Sequence, residues 1–97
     1  MLLSSLALAD VSSEATLVTG VAQPTDATIK GMTWHCENTK CVGAAWSGVD
    51  SFVKRCSTVS AALGPISGFR HGGRSADKSE IATCNRLADK KQAVAKS

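Results

Sequence analysis

In the middle of the chain, apolar and polar residues alternate in a pattern that predicts two short β-strands. Met32, Trp34 and Cys36 alternate with small or polar residues, which is the two-residue period of a strand. A second short apolar run follows Cys41. The segment ENTK between the two runs contains Asn38, a residue type that tolerates the positive φ of a tight turn. The pattern therefore predicts a β-hairpin.

A two-residue turn at positions 38–39 would fix how the two strands pair. Cys36 would then lie opposite Cys41, and Trp34 would lie opposite Gly43. Directly opposed residues in a non-hydrogen-bonded pair have Cα atoms about 4.5 Å apart, a distance that a disulfide can bridge. We therefore expect a hairpin closed by a disulfide, with the indole ring lying across bare backbone.

Two later segments have the period of a helix. In SGVDSFVKRCSTVSAALGP the apolar residues recur at steps of three and four, and Gly64 followed by Pro65 provides a stop. In SADKSEIATCNRLADKKQ, Asp77 and Glu80 have the spacing of a capping box, and Cys84 lies on the inner side. The residues that define the inner face of the first helix are Val49, Phe52, Val53, Cys56, Val59 and Leu63.

The segment PISGFRH between the two helices predicts a third strand. Ile66 and Phe69 share one face of this strand only if a bulge at Gly68 shifts the alternation. Upstream, residues 10–29 mix Ser, Thr, Gly and Pro with short apolar pieces. We interpret them as a flexible leader with a possible edge strand at 16–21.

Together these elements predict a small, disulfide-stabilised α+β domain in the order β-β-α-β-α. Its three-stranded antiparallel sheet would be packed by the two helices. We assign residues 30–89 to this single folded domain and residues 90–97 to a basic tail.

The length and composition explain why such a domain needs additional stabilisation, for example by disulfides. The chain has 97 residues, and its aromatic side chains are two Trp and two Phe, with no Tyr. A folded part of about 60 residues buries only about 60% of the surface of its unfolded chain, so its core stabilises it marginally. Domains of this size usually add disulfides, a metal or a partner. The net charge of +3 is mild and indicates solubility rather than a nucleic-acid partner.

The N-terminal segment MLLSSLALAD has features of the end of a secretory signal peptide. It contains a leucine-rich run, and Ala7-Leu8-Ala9 has the small-x-small form of a signal-peptidase site. We interpret residues 1–9 as a signal-peptide remnant. An even number of cysteines in a short chain independently favours an oxidising compartment. No stretch approaches the ~20 apolar residues of a membrane span, so the predicted location is periplasmic or secreted.

The four cysteines allow three pairings. The hairpin favours Cys36–Cys41, which leaves Cys56 and Cys84, on the inner faces of the two helices, to pair with each other. A zinc site is the main alternative, but its cysteines usually come in two close pairs, and His35 points to the strand face opposite Cys36. A redox role would need a Cys-x-x-Cys motif at the start of a helix, and the sequence contains no such motif. We therefore expect two disulfides, no bound metal and no cofactor.

The sequence offers little for catalysis. If all four cysteines pair, no thiol is left to act as a nucleophile. The chain contains no Gly-x-Ser-x-Gly elbow, no phosphate loop and no dinucleotide fingerprint. We therefore expect no catalytic residues and no enzyme activity.

The strongest candidate for binding is the segment FRHGGR. Arg70, His71 and Arg74 gather there at a glycine turn, whose exposed backbone N–H groups could hold an anion or an acidic partner. Trp46 is a further candidate, since an exposed tryptophan beside a basic turn could stack on a sugar or a base. The alternative interpretation of FRHGGR is a solvated loop, and the alternative interpretation of Trp46 is ordinary packing in the core.

These motifs together resemble a group of short, uncharacterised exported proteins of alphaproteobacteria. Members of that group carry a signal peptide, a Trp-x-Cys segment and a closing helix that contains Cys-Asn. The resemblance spans about residues 31–87 and implies export and two disulfides, but no activity that could be transferred. The positions that carry it are Trp34, Cys36, Cys41, Cys56, Gly64, Pro65, Phe69, Gly73, Ser75, Cys84 and Asn85.

From these observations we predict a non-enzymatic exported domain with a binding or structural role in the cell envelope and an unknown protein or envelope partner. One alternative is a module that binds an anionic ligand, either a nucleic acid or a glycan, although the mild net charge does not favour a nucleic-acid partner. A second alternative is a small metal-binding protein.

Overall fold

The structure, a computed structural model, describes residues 12–44 and 50–96. In these two segments the chain forms six strands and two helices. The strands are β1 (Ser12–Leu17), β2 (Thr25–Ile29), β3 (Met32–Glu37), β4 (Lys40–Ala44), β5 (Ile66–His71) and β6 (Arg74–Ser75), and the helices are α1 (Phe52–Leu63) and α2 (Lys78–Lys96).

All six strands belong to one antiparallel sheet with the order β2-β3-β4-β1-β5-β6. The two helices pack against each other, and both contact β5. Along β1 and β3, buried residues alternate with more exposed ones, so one face of the sheet meets the helices and the other faces outward. The fold is therefore of the predicted α+β class, with two helices and an antiparallel sheet.

The predicted three-stranded sheet and its β-β-α-β-α order need correction. Residues 10–29, interpreted as a leader with an edge strand, contain both β1 and β2, and β1 is the fourth of six strands. Its core-facing residues are Ser13, Ala15 and Leu17. Because two of these three side chains are small, the strand gives a weak hydrophobic period.

The two ends of the predicted domain also differ from expectation. Strands β1 and β2 precede residue 30, and α2 continues to Lys96, so most of the predicted basic tail is helical. The predicted signal-peptide remnant, residues 1–9, lies outside the described residues.

The predicted β3–β4 hairpin is confirmed together with its register. Asn38 has a φ of 56°, and Cys36 lies opposite Cys41 with a Cα–Cα distance of 4.0 Å and a disulfide between them. Trp34 lies opposite Gly43 and is fully buried. A Cβ atom at Gly43 would lie 2.4 Å from Cγ of the indole, so the ring occupies the space of a side chain at that position.

Local capping defines where the helices begin and end. The Lys54 backbone N–H donates to Oγ of the cap residue Ser51 at 3.1 Å, and Gly64 ends α1 with a φ of 109°. The predicted capping box opens α2, since the Glu80 N–H donates to Asp77 Oδ1 and the Asp77 N–H donates to Glu80 Oε1. These contacts satisfy backbone donors that the first turn of a helix leaves free.

The second disulfide joins α1 to α2, as predicted. Cys56 and Cys84 are fully buried, and their Cα atoms lie 5.6 Å apart. The core around them draws on both helices and five strands. It consists of Ala15, Leu17, Ile29, Trp34, Cys36, Cys41, Cys56, Val59, Ile66, Phe69 and Cys84.

A bulge is present in β5, as predicted, but it lies at Ser67, one residue before the predicted Gly68. Thr16 lies opposite Gly68 and Leu17 lies opposite Ile66, so Ser67 is the extra residue. The shift lets Ile66 join the core that Phe69 also enters.

Asn85, which follows a core cysteine in α2, connects this helix to the sheet. Its Oδ1 accepts hydrogen bonds from the Ile66 backbone N–H at 3.0 Å and from the Ser60 hydroxyl at 2.9 Å. Its Nδ2 donates to the Ile66 carbonyl at 2.9 Å. The Asn85 amide thus provides hydrogen-bond partners for both the N–H and the C=O of Ile66, the first residue of β5, as a neighbouring strand would.

Replacing Asn85 by alanine is expected to lower the free energy of unfolding by about 2 kcal/mol, since it removes the side-chain partner of the buried Ile66 backbone and leaves the Ser60 hydroxyl only its longer contact to the Gly64 carbonyl, at 3.3 Å. Urea denaturation followed by circular dichroism measures the loss. The neighbouring exposed Arg86→Ala serves as the control and should change stability by less than about 0.5 kcal/mol. Equal losses in the two variants would contradict this role for Asn85.

Candidate functional site

The face of the sheet opposite the helices carries a continuous set of polar side chains, which we call the open face. The strand registers bring these residues together from all six strands, although they are distant in sequence. Because side chains alternate along each strand, they point away from the buried Cys36–Cys41 disulfide and from Trp34. The open face comprises Glu14, Thr16, Asp26, His35, Glu37, Lys40, Val42, Gly68, Arg70 and Ser75.

Glu14 is the electrostatic centre of one half of the open face. Lys40 Nζ lies 2.8 Å from Glu14 Oε2, and Arg70 Nη2 lies 3.2 Å from Glu14 Oε1. The hydrogen bond from Lys40, and further the positive charge of both cations, hold the pKa of the Glu14 carboxyl below its ordinary value. The carboxylate therefore fixes two cations from the two strands beside it.

His35 is the centre of the other half. Its Nδ1 lies 2.6 Å from Asp26 Oδ1 and its Nε2 lies 2.8 Å from Glu37 Oε2. The hydrogen bond to Asp26, followed by that to Glu37, raises the pKa of the imidazole above its ordinary value of 6.5. The protonated ring donates to both carboxylates at once.

Two shallow depressions lie on the open face and share Lys40 as a lining residue. One, of about 400 Å³, lies over Gly68 and Thr16, where the glycine leaves room beside the Glu14 ion pairs. The other, of about 320 Å³, lies beside His35 and Val42. Val42 is 46% exposed and is an apolar residue among the charged ones.

The basic residues of FRHGGR do not converge on one surface. Arg70 lies on the open face, whereas its neighbour His71 turns to the helix side, where Nδ1 lies 2.8 Å from Ser13 Oγ. Arg74 also turns to the helix side, pairs with Glu80, and has its guanidinium carbon 3.9 Å from the centre of the Phe52 ring. Trp46, the fourth predicted binding residue, lies outside the described residues.

The Ser13–His71 contact has the residue types of a nucleophile and its base, but its surroundings differ from those of a reactive pair. Ser13 is only 4% exposed, so a substrate has no access to its hydroxyl. Burial, and then the charge of Arg55, lower the pKa of His71 from 6.5. A nearby guanidinium disfavours the imidazolium that a general base must form, so the geometry suits a structural hydrogen bond.

The two histidines are expected to give opposite pH dependences of stability. The lowered pKa of His71 means that its contribution is complete above about pH 6.5 and is lost as the pH falls. The raised pKa of His35 means that its contribution is present below about pH 6.5 and is lost as the pH rises through the folded-state pKa.

Thermal unfolding between about pH 5 and 8 tests this assignment. His71→Asn should abolish the part of the destabilisation on acidification that comes from this ring, whereas His35→Asn should make that destabilisation steeper. Identical pH profiles for the two variants would contradict it.

The sequence did not indicate the open face as a site. Glu14 lies in the segment interpreted as a leader, and Lys40 and Val42 lie in the predicted hairpin, where no binding motif marks them. The alternation in β3 predicts that His35 and Cys36 lie on different faces of the sheet, and the structure confirms this. The order of the strands is what assembles the face, and no short motif encodes that order.

The described residues contain no group of three or more His, Cys, Asp or Glu side chains that could hold a metal ion. All four cysteines form disulfides. Within residues 12–44 and 50–96, no helix has the length and apolarity required to cross a bilayer.

The fold and this face define a small α+β protein with two disulfides and an outward-facing polar sheet. Its sequence matches the model of DUF8200, a family of unknown function, over residues 1–86, and the chain belongs to this family. No match was found among curated proteins or among solved structures. The chain thus belongs to a family of unknown function and itself contains two disulfides, while the alphaproteobacterial group and its motif pattern stay predictions.

Proposed function

We propose that this chain is an exported, non-enzymatic domain that binds a protein partner through the open face of its sheet. The observation that carries the proposal is the composition of that face, with an exposed Val42 among charged groups of both signs. Export is supported by the two disulfides, which persist in oxidising compartments, and by the signal-like residues 1–9.

The charged groups of the open face are both accessible and held in place. The side chains of His35, Lys40 and Arg70 are 52%, 63% and 58% exposed, and each forms an ion pair within the face. Side chains that are already ordered lose little entropy on binding. A mixed pattern of charge also favours partners with the complementary pattern and penalises others.

A polyanionic ligand is the second candidate, because Arg70 and Lys40 lie near each other on the open face. Both cations already contact Glu14, and Asp26 and Glu37 add further negative charge to the same face. These carboxylates would repel a nucleic acid or an acidic glycan. A partner that itself carries charges of both signs therefore fits the face better.

Photo-crosslinking in cells tests the proposal. A photoreactive amino acid at Val42 on the open face is expected to capture one discrete protein, whereas the same group at the exposed Ala82 on α2 is expected to capture none. The captured protein is then purified and titrated against the chain.

In that titration Arg70→Glu should weaken binding at least about tenfold, because it places a like charge beside Glu14 and reverses a contact charge. Arg86→Glu, on the exposed side of α2, should leave the affinity unchanged. Equal capture at positions 42 and 82, or an affinity that Arg70→Glu leaves unchanged, would refute the open face as the contact surface. A steep loss of binding to heparin or to single-stranded DNA with rising salt would favour the polyanion instead.

A further inference from the structure

The two outer edges of the sheet differ in their capacity to accept another strand. At one end β6 contains only two residues and includes the charged Arg74. At the other end β2 (Thr25–Ile29) pairs with β3 over five residues without a bulge. Within residues 12–44 and 50–96, no strand pairs with the outer edge of β2. An extended, regular and unpaired edge is a template for strand addition.

The β2–β3 register determines which backbone groups face outward. The turn at Lys30 and Gly31 has two residues, both with positive φ, so Ile29 and Met32 are its closing hydrogen-bonded pair. Hydrogen-bonded and non-hydrogen-bonded pairs then alternate along the hairpin. The N–H and C=O groups of positions 26 and 28 consequently point away from β3.

The outer edge of β2 is complementary to the same edge of a second copy of the chain. An antiparallel pairing centred on Ala27 sets Asp26 opposite Thr28 of the second copy, and Thr25 opposite Ile29 of the second copy. No two like charges meet, and the Thr28 hydroxyl faces a carboxylate to which it can donate. We propose that the chain forms a two-fold symmetric dimer through this edge, which joins two six-stranded sheets into one of twelve strands.

The surroundings of β2 suit this pairing. Asp26 is the charged residue of the strand, and its carboxylate already contacts His35 at 2.6 Å, which reduces its repulsion of a second copy. Ala27, at the symmetry axis, has a side chain too small to obstruct close approach. The pairing would also join two open faces along one continuous surface, with His35 near its middle. The dimer would therefore enlarge the open face available for binding. Dimerisation itself does not require that the open face bind a partner protein.

Sedimentation velocity across micromolar to millimolar concentrations is expected to show a monomer–dimer equilibrium. Thr28→Pro removes an outward N–H from each copy without removing a β2–β3 hydrogen bond, as edge strands permit. It should weaken association by about 30-fold, because two of the four intermolecular backbone hydrogen bonds are lost. The matched Thr28→Ala keeps the N–H and should still dimerise.

Disulfide trapping tests the register. Ala27→Cys places two thiols in a non-hydrogen-bonded pair across the axis, where the Cα atoms lie about 4.5 Å apart, and should give a covalent dimer on mild oxidation. Thr25→Cys is the matched control, because the register keeps its two copies about 13 Å apart. Peptide mapping checks that both native disulfides remain.

A chain that is monomeric at every concentration would overturn the proposal. So would dimerisation that Thr28→Pro leaves intact, or equal trapping at positions 25 and 27. Each of these results would leave the open face as a candidate contact surface, so failure of the dimer is distinguishable from failure of the proposed function.

Discussion

Replacing Cys56 and Cys84 together by alanine is expected to lower the free energy of unfolding by about 3.5 kcal/mol. Their disulfide closes a sequence separation of 28 residues, and a cross-link of that span restricts the unfolded chain strongly. Small domains have net stabilities of only about 5 kcal/mol, so the variant should be close to unfolded at physiological temperature. Urea titration against the wild type measures the difference.

The hairpin disulfide, Cys36–Cys41, provides the control. Cys36 and Cys41 are separated by only five residues, so their joint replacement by alanine is expected to cost about 2 kcal/mol. A larger loss from the hairpin pair than from the helix pair would contradict the view that loop closure explains the difference.

Gly43→Ala is expected to cost about 3 kcal/mol, although it adds only one methyl group. The new Cβ would lie 2.4 Å from Cγ of Trp34, a ring that is fully buried and cannot move aside cheaply. Val42→Ala, one residue away on the open face, should change stability by less than about 0.5 kcal/mol because Val42 is 46% exposed. Thermal or urea unfolding of the two variants makes the comparison.

A double-mutant cycle identifies the cause. Trp34→Leu alone should cost about 3 kcal/mol through the cavity it creates. In the double variant the alanine methyl occupies space that the ring has left, so the total should be well below the sum of the two single losses. Additive losses would show that Gly43 is required for its backbone conformation and not for the ring.

The sequence predicted the parts of the fold that depend on local geometry. Alternation around Cys36 and a two-residue turn are sufficient to set the hairpin register, and helical spacing places the other two cysteines on facing surfaces. β1 was missed because Ser13 and Ala15 fill core positions with little hydrophobic signal. Nothing near residues 12–17 indicates that this strand inserts between β4 and β5.

The structure does not bring the predicted binding residues Arg70, His71 and Arg74 together on one surface, for a related physical reason. Arg70 and His71 are adjacent in sequence, but successive residues of a strand face opposite sides, so only Arg70 reaches the open face. Glu14 and Lys40 are far apart in sequence and meet because β1 pairs with β4. Clusters in the sequence of a β-protein are therefore a poor guide to clusters on its surface.

The open face and the disulfides are connected in the proposed account. The Cys36–Cys41 bond stabilises the hairpin whose outward residues include His35 and Lys40, while the Cys56–Cys84 bond stabilises the helices behind the sheet. A binding surface of this kind would keep its geometry outside the cell without a large core.

The most direct test of the central claim, an exported domain closed by two disulfides, is the intact mass of the chain recovered from the extracytoplasmic fraction of its cells. We predict that alkylating reagents do not modify the native chain and that reduction adds four hydrogen atoms, two for each disulfide. A chain recovered from the cytoplasm with alkylatable thiols would contradict the account.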